Sequence, residues 1–229
     1  MFDVRKLTAA YGQSEVLHGI DLSVGAGEIV ALVGRNGMGK STLMKSMIGV
    51  MPLRSGSIAV DGVDVTKLPS HKRVANGLAY VPQGRQIFGT MTVKENIETG
   101  RIVTGKSDIP NEIYDLFPIL KDFERRRGGN LSGGQQQQLA IARALASEPK
   151  VLLLDEPTEG IQPSIIKDIA RLLREIRDLR NLCIVVCEQV LSFVLDIADR
   201  ILVIEGGSIV HADTRQNVNE AAIARFLSV

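Results

Sequence analysis

The sequence predicts an α/β fold built on a mainly parallel β-sheet, with an antiparallel β layer added to it. Three observations carry that reading. First, KVLLLDEP (150–157), NLCIVVCEQ (181–189) and DRILVIEGG (199–207) are short apolar runs without alternation, as strands of a parallel sheet buried on both faces read. Second, SIIKDIARLLREIRDL (164–179) has apolar residues at 165, 166, 169, 172, 173, 176 and 179, the stripe of an amphipathic helix. Third, EIVALVG (28–34) runs from an apolar strand into glycines and then into the helix-like STLMKSMIGV. Strands that alternate with helices define the α/β class.

The remaining elements follow in chain order. FDVRKLT (2–8) alternates and reads as a strand, as does VLHGIDLSV (16–24), which ends in a turn at Gly25-Ala26-Gly27. SGSIAVDGVDV (55–65) reads as a hairpin with Asp61-Gly62 at its tip. LAYVPQ (78–83) is a short strand that Pro82 stops. Residues 91–126 are helix-prone, with glycines interrupting near 100–105. No internal repeat or low-complexity linker is evident, so all 229 residues are expected to form one domain.

Composition narrows the function. Lys plus Arg is 27 and Asp plus Glu is 26, a net charge of +1. That balance argues against bulk nucleic-acid binding, which leaves a basic footprint. A 45% apolar share suffices for a full core, while aromatics are only 4% and Trp is absent. The longest strictly apolar run, Leu182 to Cys187, has six residues, whereas a spanning helix needs about twenty. The N-terminus lacks the apolar stretch of a signal peptide, so a cytosolic chain is expected unless a partner holds it at a membrane. Cys183 and Cys187 would share one strand face about 13 Å apart, too far for a disulfide, and read as small core residues.

Gly34-Arg35-Asn36-Gly37-Met38-Gly39-Lys40-Ser41 fits G-x-x-x-x-G-K-[ST] between a strand and a helix, followed by Thr42. Glycines let the backbone curl around phosphate oxygens, and the helix N-terminus adds its dipole. Lys40 supplies a mobile positive charge, and the Ser41 hydroxyl can ligate Mg²⁺. Asp155, at the end of a buried strand, is placed to hold Mg²⁺ through water. Glu156 is then placed to orient or deprotonate the water that attacks the γ-phosphate. Leu131-Ser132-Gly133-Gly134-Gln135 precedes the helix QQQLAIARALA. It reads both as a capping box, Ser132 with Gln135, and as an anion site at a helix start.

LSGGQ with a phosphate loop and LLLDEP is the fingerprint of ABC-type ATPases, and the chain resembles that family across essentially its whole length. The resemblance implies a P-loop, RecA-like ATPase core (1–83 and 151–229) with an antiparallel β layer and an inserted helical subdomain (84–150) that docks on membrane subunits. It implies ATP and Mg²⁺ as cofactors. The phosphate-loop residues Gly34, Asn36, Gly37, Gly39, Lys40, Ser41 and Thr42 would bind the nucleotide, and Tyr11 would stack on adenine. Gln83 matches the loop glutamine that touches Mg²⁺ and water. Ser132, Gly133 and Gly134 match the segment that caps the γ-phosphate of the opposite subunit's ATP in a head-to-tail dimer. The implied metal set is Ser41, Gln83 and Asp155; the implied catalytic set is Glu156, Gln83 and Gln189.

Two positions depart from the family pattern. Gln189 stands where the family usually has His, and Gln162 where it usually has Asp. An amide can still hydrogen-bond a phosphate oxygen, more weakly than an imidazolium. Gln at the first position, in VCEQ, resembles the ATPases of branched-chain amino-acid and urea uptake. SGGQQQQLAIARAL and LDEPTEGIQPSIIKDI resemble the urea members more, so urea is the expected solute and branched-chain amino acids the alternative. The implied partners are two transmembrane permease subunits, a second ATPase subunit (identical or related) and, through the permease, an extracytoplasmic solute-binding protein, with no nucleic acid. The expected location is peripheral, on the cytoplasmic face of the inner membrane. A rival from another class is a non-hydrolysing regulatory nucleotide-binding module, motivated by Gln162 and Gln189. A chromosome-structure ATPase shares the signature but needs a long coiled-coil insertion, and fewer than a hundred residues separate the phosphate loop from LSGGQ.

Overall fold

The structure is a computed structural model and describes residues 1–227. Its strands are β1 (Phe2–Tyr11), β2 (Ser14–Val24), β3 (Ile29–Val33), β4 (Ser55–Val60), β5 (Val63–Asp64), β6 (Leu78–Val81), β7 (Val151–Asp155), β8 (Cys183–Glu188), β9 (Arg200–Glu205) and β10 (Ser208–Thr214). Its α-helices are α1 (Lys40–Ile48), α2 (Ser70–Ala75), α3 (Val93–Arg101), α4 (Asn111–Leu116), α5 (Pro118–Asp122), α6 (Gly133–Leu145), α7 (Pro163–Arg180), α8 (Leu191–Ile197) and α9 (Glu220–Leu227). The strands form two sheets, β2-β1-β4-β5 and β10-β9-β3-β8-β7-β6. The first is antiparallel; the second is parallel from β9 to β6 and takes β10 as an antiparallel edge.

The unalternating runs lie where their composition requires. Every residue of β3, β7 and β8 is buried. One face of β7 and β8 (Leu152, Leu154, Ile184, Val186) packs under α6 and α7. The other face (Val151, Leu153, Cys183, Val185, Cys187) packs with Leu43, Met44 and Met47 of α1 and with the antiparallel sheet. The two cysteines therefore share a face, buried and free. Burial pushes the Cys187 thiol well up from its ordinary value.

Local signals account for the boundaries. Asp61 and Gly62 both take positive φ, 48° and 78°, the twisted two-residue turn of a β4–β5 hairpin. Pro163 opens α7, and Asn181 closes it at φ 51°. Leu179, expected in the apolar stripe, is 63% exposed. Arg180, four residues after buried Ile176, takes that face instead, where its guanidinium binds Glu112 and the Leu145 carbonyl. The elements α2, α8, β10 and α9 were not foreseen. Residues 208–214 carry His211, Asp213 and Thr214 among apolar residues, as suits an edge strand. Among the described residues no helix is long and apolar enough to cross a membrane.

Candidate nucleotide-binding site

The parallel strands β3, β8, β7 and β6 end on one edge of the sheet, and each hands its next residues to the same place. Register fixes the juxtaposition: Val33 pairs with Glu188 and Asp155 with Cys187. Gly34 therefore follows β3 beside Gln189, and Glu156 follows β7 beside the end of β8. In open α/β sheets this carboxyl edge is where ligands bind.

The loop after β3 needs its glycines. A Cβ at Gly34 would lie 2.4 Å from the Ile204 carbonyl oxygen. Gly37 and Gly39 sit at φ +80° and +105°, which L side chains avoid. Gly39 caps α1 with no side-chain hydrogen bond, and the first turn of α1 carries no acidic residue. The free N–H groups of that turn border a cavity of about 330 Å³ lined by Asn36, Gly37, Gly39, Lys40, Ser41, Thr42, Gln83 and Glu156. Lys40 is 4% exposed. Its ammonium donates to the carbonyls of Gly34 at 2.6 Å and Arg35 at 3.0 Å and lies 3.7 Å from Glu156 Oε1.

The acidic strand end completes the edge. Asp155 is buried and accepts from Ser41 Oγ at 3.1 Å and from Tyr80 Oη at 3.2 Å. Burial pushes its carboxyl above the usual range, and these two hydrogen bonds pull it back. Burial, with the nearby Asp155 charge, likewise pushes the Tyr80 phenol up. Glu156 adopts φ +47°, and its N–H donates to the Cys187 carbonyl at 2.9 Å. Its Oε1 accepts from Gln189 Nε2 at 2.7 Å and its Oε2 from Gln83 Nε2 at 3.2 Å. Gln189 Nε2 also donates to Asn36 Oδ1 at 2.8 Å. The Gln189 amide thus reaches both the phosphate loop and Glu156.

An uncapped helix start, a buried ammonium and an open cavity fit a polyphosphate chain. Ser41 and Asp155 fit Mg²⁺, which binds through one or two carboxylates together with substrate phosphates. Among the described residues no group of three or more His, Cys, Asp or Glu is arranged to hold a metal ion by itself, and that mode of binding needs none.

The other expected residues lie outside this cavity's lining. Tyr11 ends β1 and is 56% exposed. Ser132 caps α6 through the expected reciprocal box: its Oγ accepts from Gln135 N at 3.4 Å, and Gln135 Oε1 accepts from Ser132 N at 3.0 Å. Gly134 has a packing reason as well, since a Cβ there would lie 2.6 Å from Ile165 Cγ2 of α7. Gln162 is the N-cap residue of α7. Sequence reasoning missed Tyr80 and Thr158. Tyr80 read as one more residue of a short strand, and Thr158 lies in a turn whose hydrogen bonds no local pattern announces.

Fold and site define a phosphate-loop nucleotide-binding protein. A model of the ABC transporter family matches residues 17–159. The high-affinity branched-chain amino acid transport ATP-binding protein BraG of Pseudomonas aeruginosa is 41% identical over 217 residues, covering 93% of each chain. The probable branched-chain amino acid transport ATP-binding protein LivF of Archaeoglobus fulgidus is 36% identical, covering 94% of this chain and 92% of that one. A nucleotide-free ATP-binding cassette from an ABC transporter superposes with a TM-score of 0.86 at 26% identity, covering 100% of this chain and 95% of that one. The chain belongs to the ABC transporter family. It is an ATPase of that family with ATP and Mg²⁺ as cofactors, which removes the non-hydrolysing rival.

Proposed function

We propose that the chain is the ATP-hydrolysing subunit of an importer for branched-chain amino acids. The observation that carries hydrolysis is the Glu156 carboxylate, held by Gln83 and Gln189 beside Lys40 at the mouth of the phosphate loop. Lys40 and the first turn of α1 hold the phosphate chain. Ser41 and Asp155, with Gln83, hold Mg²⁺. When bound, the ion neutralises charge developing on the phosphate oxygens. Glu156 accepts the proton of the attacking water. Gln189 donates to Glu156 and so fixes the rotamer of the base. Tyr11, exposed at the end of β1, stacks on adenine.

The remaining assignments extend the same reading. Ser132, Gly133 and Gly134 complete the γ-phosphate site of a second ATPase subunit, identical or related. Residues 84–150 form the helical subdomain that docks on two transmembrane permease subunits, and residues 1–83 with 151–229 form the core. The chain sits peripherally on the cytoplasmic face of the inner membrane. An extracytoplasmic solute-binding protein feeds the permease.

The solute rests on likeness, because an ATPase subunit does not touch it. BraG and LivF, each matched over more than nine-tenths of this chain, favour amino acids over the urea expected from the signature segments. SGGQQQQLAIARAL and LDEPTEGIQPSIIKDI keep urea as the second reading. Uptake of labelled leucine and of urea in cells lacking this chain decides between them. Loss of leucine uptake with urea uptake intact is expected; the reverse would install urea, and loss of neither would refute both.

A further inference from the structure

Glu188, the last residue of β8, is a carboxylate only 2% exposed. Each of its oxygens accepts two hydrogen bonds. Oε1 takes the Thr158 N–H at 3.0 Å and the Thr158 hydroxyl at 2.5 Å. Oε2 takes the backbone N–H of Gln189 at 2.7 Å and of Val190 at 3.1 Å. One buried charge thus ties together two loops, one entered from β7 and one from β8.

The first loop carries Glu156 itself, and the second carries the Gln189 side chain that bonds it. Thr158 lies two residues beyond Glu156, and Gln189 donates to Glu156 Oε1 at 2.7 Å. Glu156 itself sits at φ +47°, a region that non-glycine residues hold only when their surroundings over-determine it. Its own N–H is fixed by the Cys187 carbonyl, one residue before Glu188. The strained residue is therefore held at its amide by the end of β8 and, two residues further on, by the Glu188 carboxylate. A glutamine at 188 could not replace this arrangement. Its NH₂ would face two donors on one side or the other.

We propose that Glu188 is a positioning residue for ATP hydrolysis. Through Thr158 it sets the turn that aims Glu156, and through the Gln189 and Val190 amides it sets the Gln189 carboxamide against that base. This rests on the catalytic reading of Glu156. Phosphate binding depends on it far less, since Lys40 and the first turn of α1 make no hydrogen bond to Glu188 or Thr158, and the link from the clip to the phosphate loop is the single bond from Gln189 Nε2 to Asn36 Oδ1. The two steady-state constants therefore separate.

The test uses the full chain with Mg-ATP and compares Thr158→Val, Thr158→Ser and Glu188→Gln. Thr158→Val keeps the backbone N–H and the shape of the side chain but removes the hydroxyl. It should lower kcat on the order of tenfold, and Glu188→Gln on the order of a hundredfold, the scale of a small misplacement of catalytic groups. KM for ATP should stay within about twofold of the parent, because Lys40 and the first turn of α1 are untouched. Thr158→Ser, which restores a hydroxyl, should recover most of the parental kcat. If Glu188→Gln fails to fold, the Thr158 pair still decides. Parental kcat in Thr158→Val would overturn the proposal, as would a Thr158→Ser chain as slow as Thr158→Val, or a loss confined to KM. Glu156→Gln, run in parallel, separates the two ideas. If that variant keeps its turnover, the base assignment fails; if it loses turnover while the Thr158 and Glu188 variants do not, only the clip fails.

Discussion

Two helices of this chain start at glycine-flanked N-termini, and they are finished differently. The first turn of α1 has no side-chain cap and borders a cavity that also holds a buried ammonium. The first turn of α6 is capped by its own side chains, Ser132 and Gln135 each satisfying the other's backbone N–H. The chain carries a ready anion site at α1, built from groups brought in by β3, β6, β7 and β8. At α6 it carries a start that is stable without a ligand. In the proposed dimer that second start would meet the nucleotide held by a partner's α1; one subunit would then bind ATP alone, and hydrolysis would require two.

The largest effect should come from the α1 side. Lys40→Ala removes the buried cation and should lower ATP turnover by on the order of a hundredfold or more, the cost of losing a preorganised donor to developing charge. Nucleotide binding should fall with it, as calorimetry with ADP would read. A variant that still binds with parental affinity would show that the α1 start does not hold the phosphates.

Tyr80→Phe sharpens the same side more gently. The hydroxyl that steadies Asp155 is lost, while the ring still packs. Mg²⁺ dependence of ADP binding should shift to higher metal by on the order of tenfold, the lower end of the cost of losing an outer-shell partner. Binding without metal should be unchanged, and an unshifted Mg²⁺ curve would leave Tyr80 as packing alone.

Ser132→Ala tests the α6 side. Breaking the box should cost about 0.5–2 kcal/mol of stability and lower turnover, while ADP binding to the single subunit stays parental. Weakened ADP binding would place α6 in the same subunit's site and dissolve the contrast.

The smallest expected effect lies remote from both helix starts. Asp61 is held down to about 2 by hydrogen bonds from Lys150 and from the N-terminal ammonium. A depressed carboxylate stabilises fully above its ordinary value near 3.8 and loses that contribution as pH falls through about 2. Asp61→Asn should therefore be slightly less stable at neutral pH and converge with the parent in acid melts below pH 2. The pair is exposed, so the difference should be small.

The contrast also separates what could be read from the sequence from what could not. Gly34, Gly37, Gly39, Lys40 and the Asp155-Glu156 pair were legible because phosphate chemistry forces residue types at fixed spacing. β7 and β8 were legible because burial on both faces leaves no polar alternation. The capping box was legible because it is local. Tyr80 and Glu188 were not, since each acts on a residue at least thirty positions away (Tyr80 on Asp155, Glu188 on Thr158) except for the adjacent amides of Gln189 and Val190. Such partners are set by sheet register, which no single strand announces. The exposure of Leu179 was misread because Arg180 competes for the same helix face through its bond to Glu112.

In the proposed function Glu156 takes the proton from the attacking water in a site assembled around α1. Glu156→Gln tests it most directly, with turnover and oligomeric state measured together in Mg-ATP. Hydrolysis should fall by on the order of a hundredfold or more while ATP still binds and an ATP-loaded dimer accumulates on size exclusion. Parental hydrolysis by the Glu156→Gln chain would contradict it.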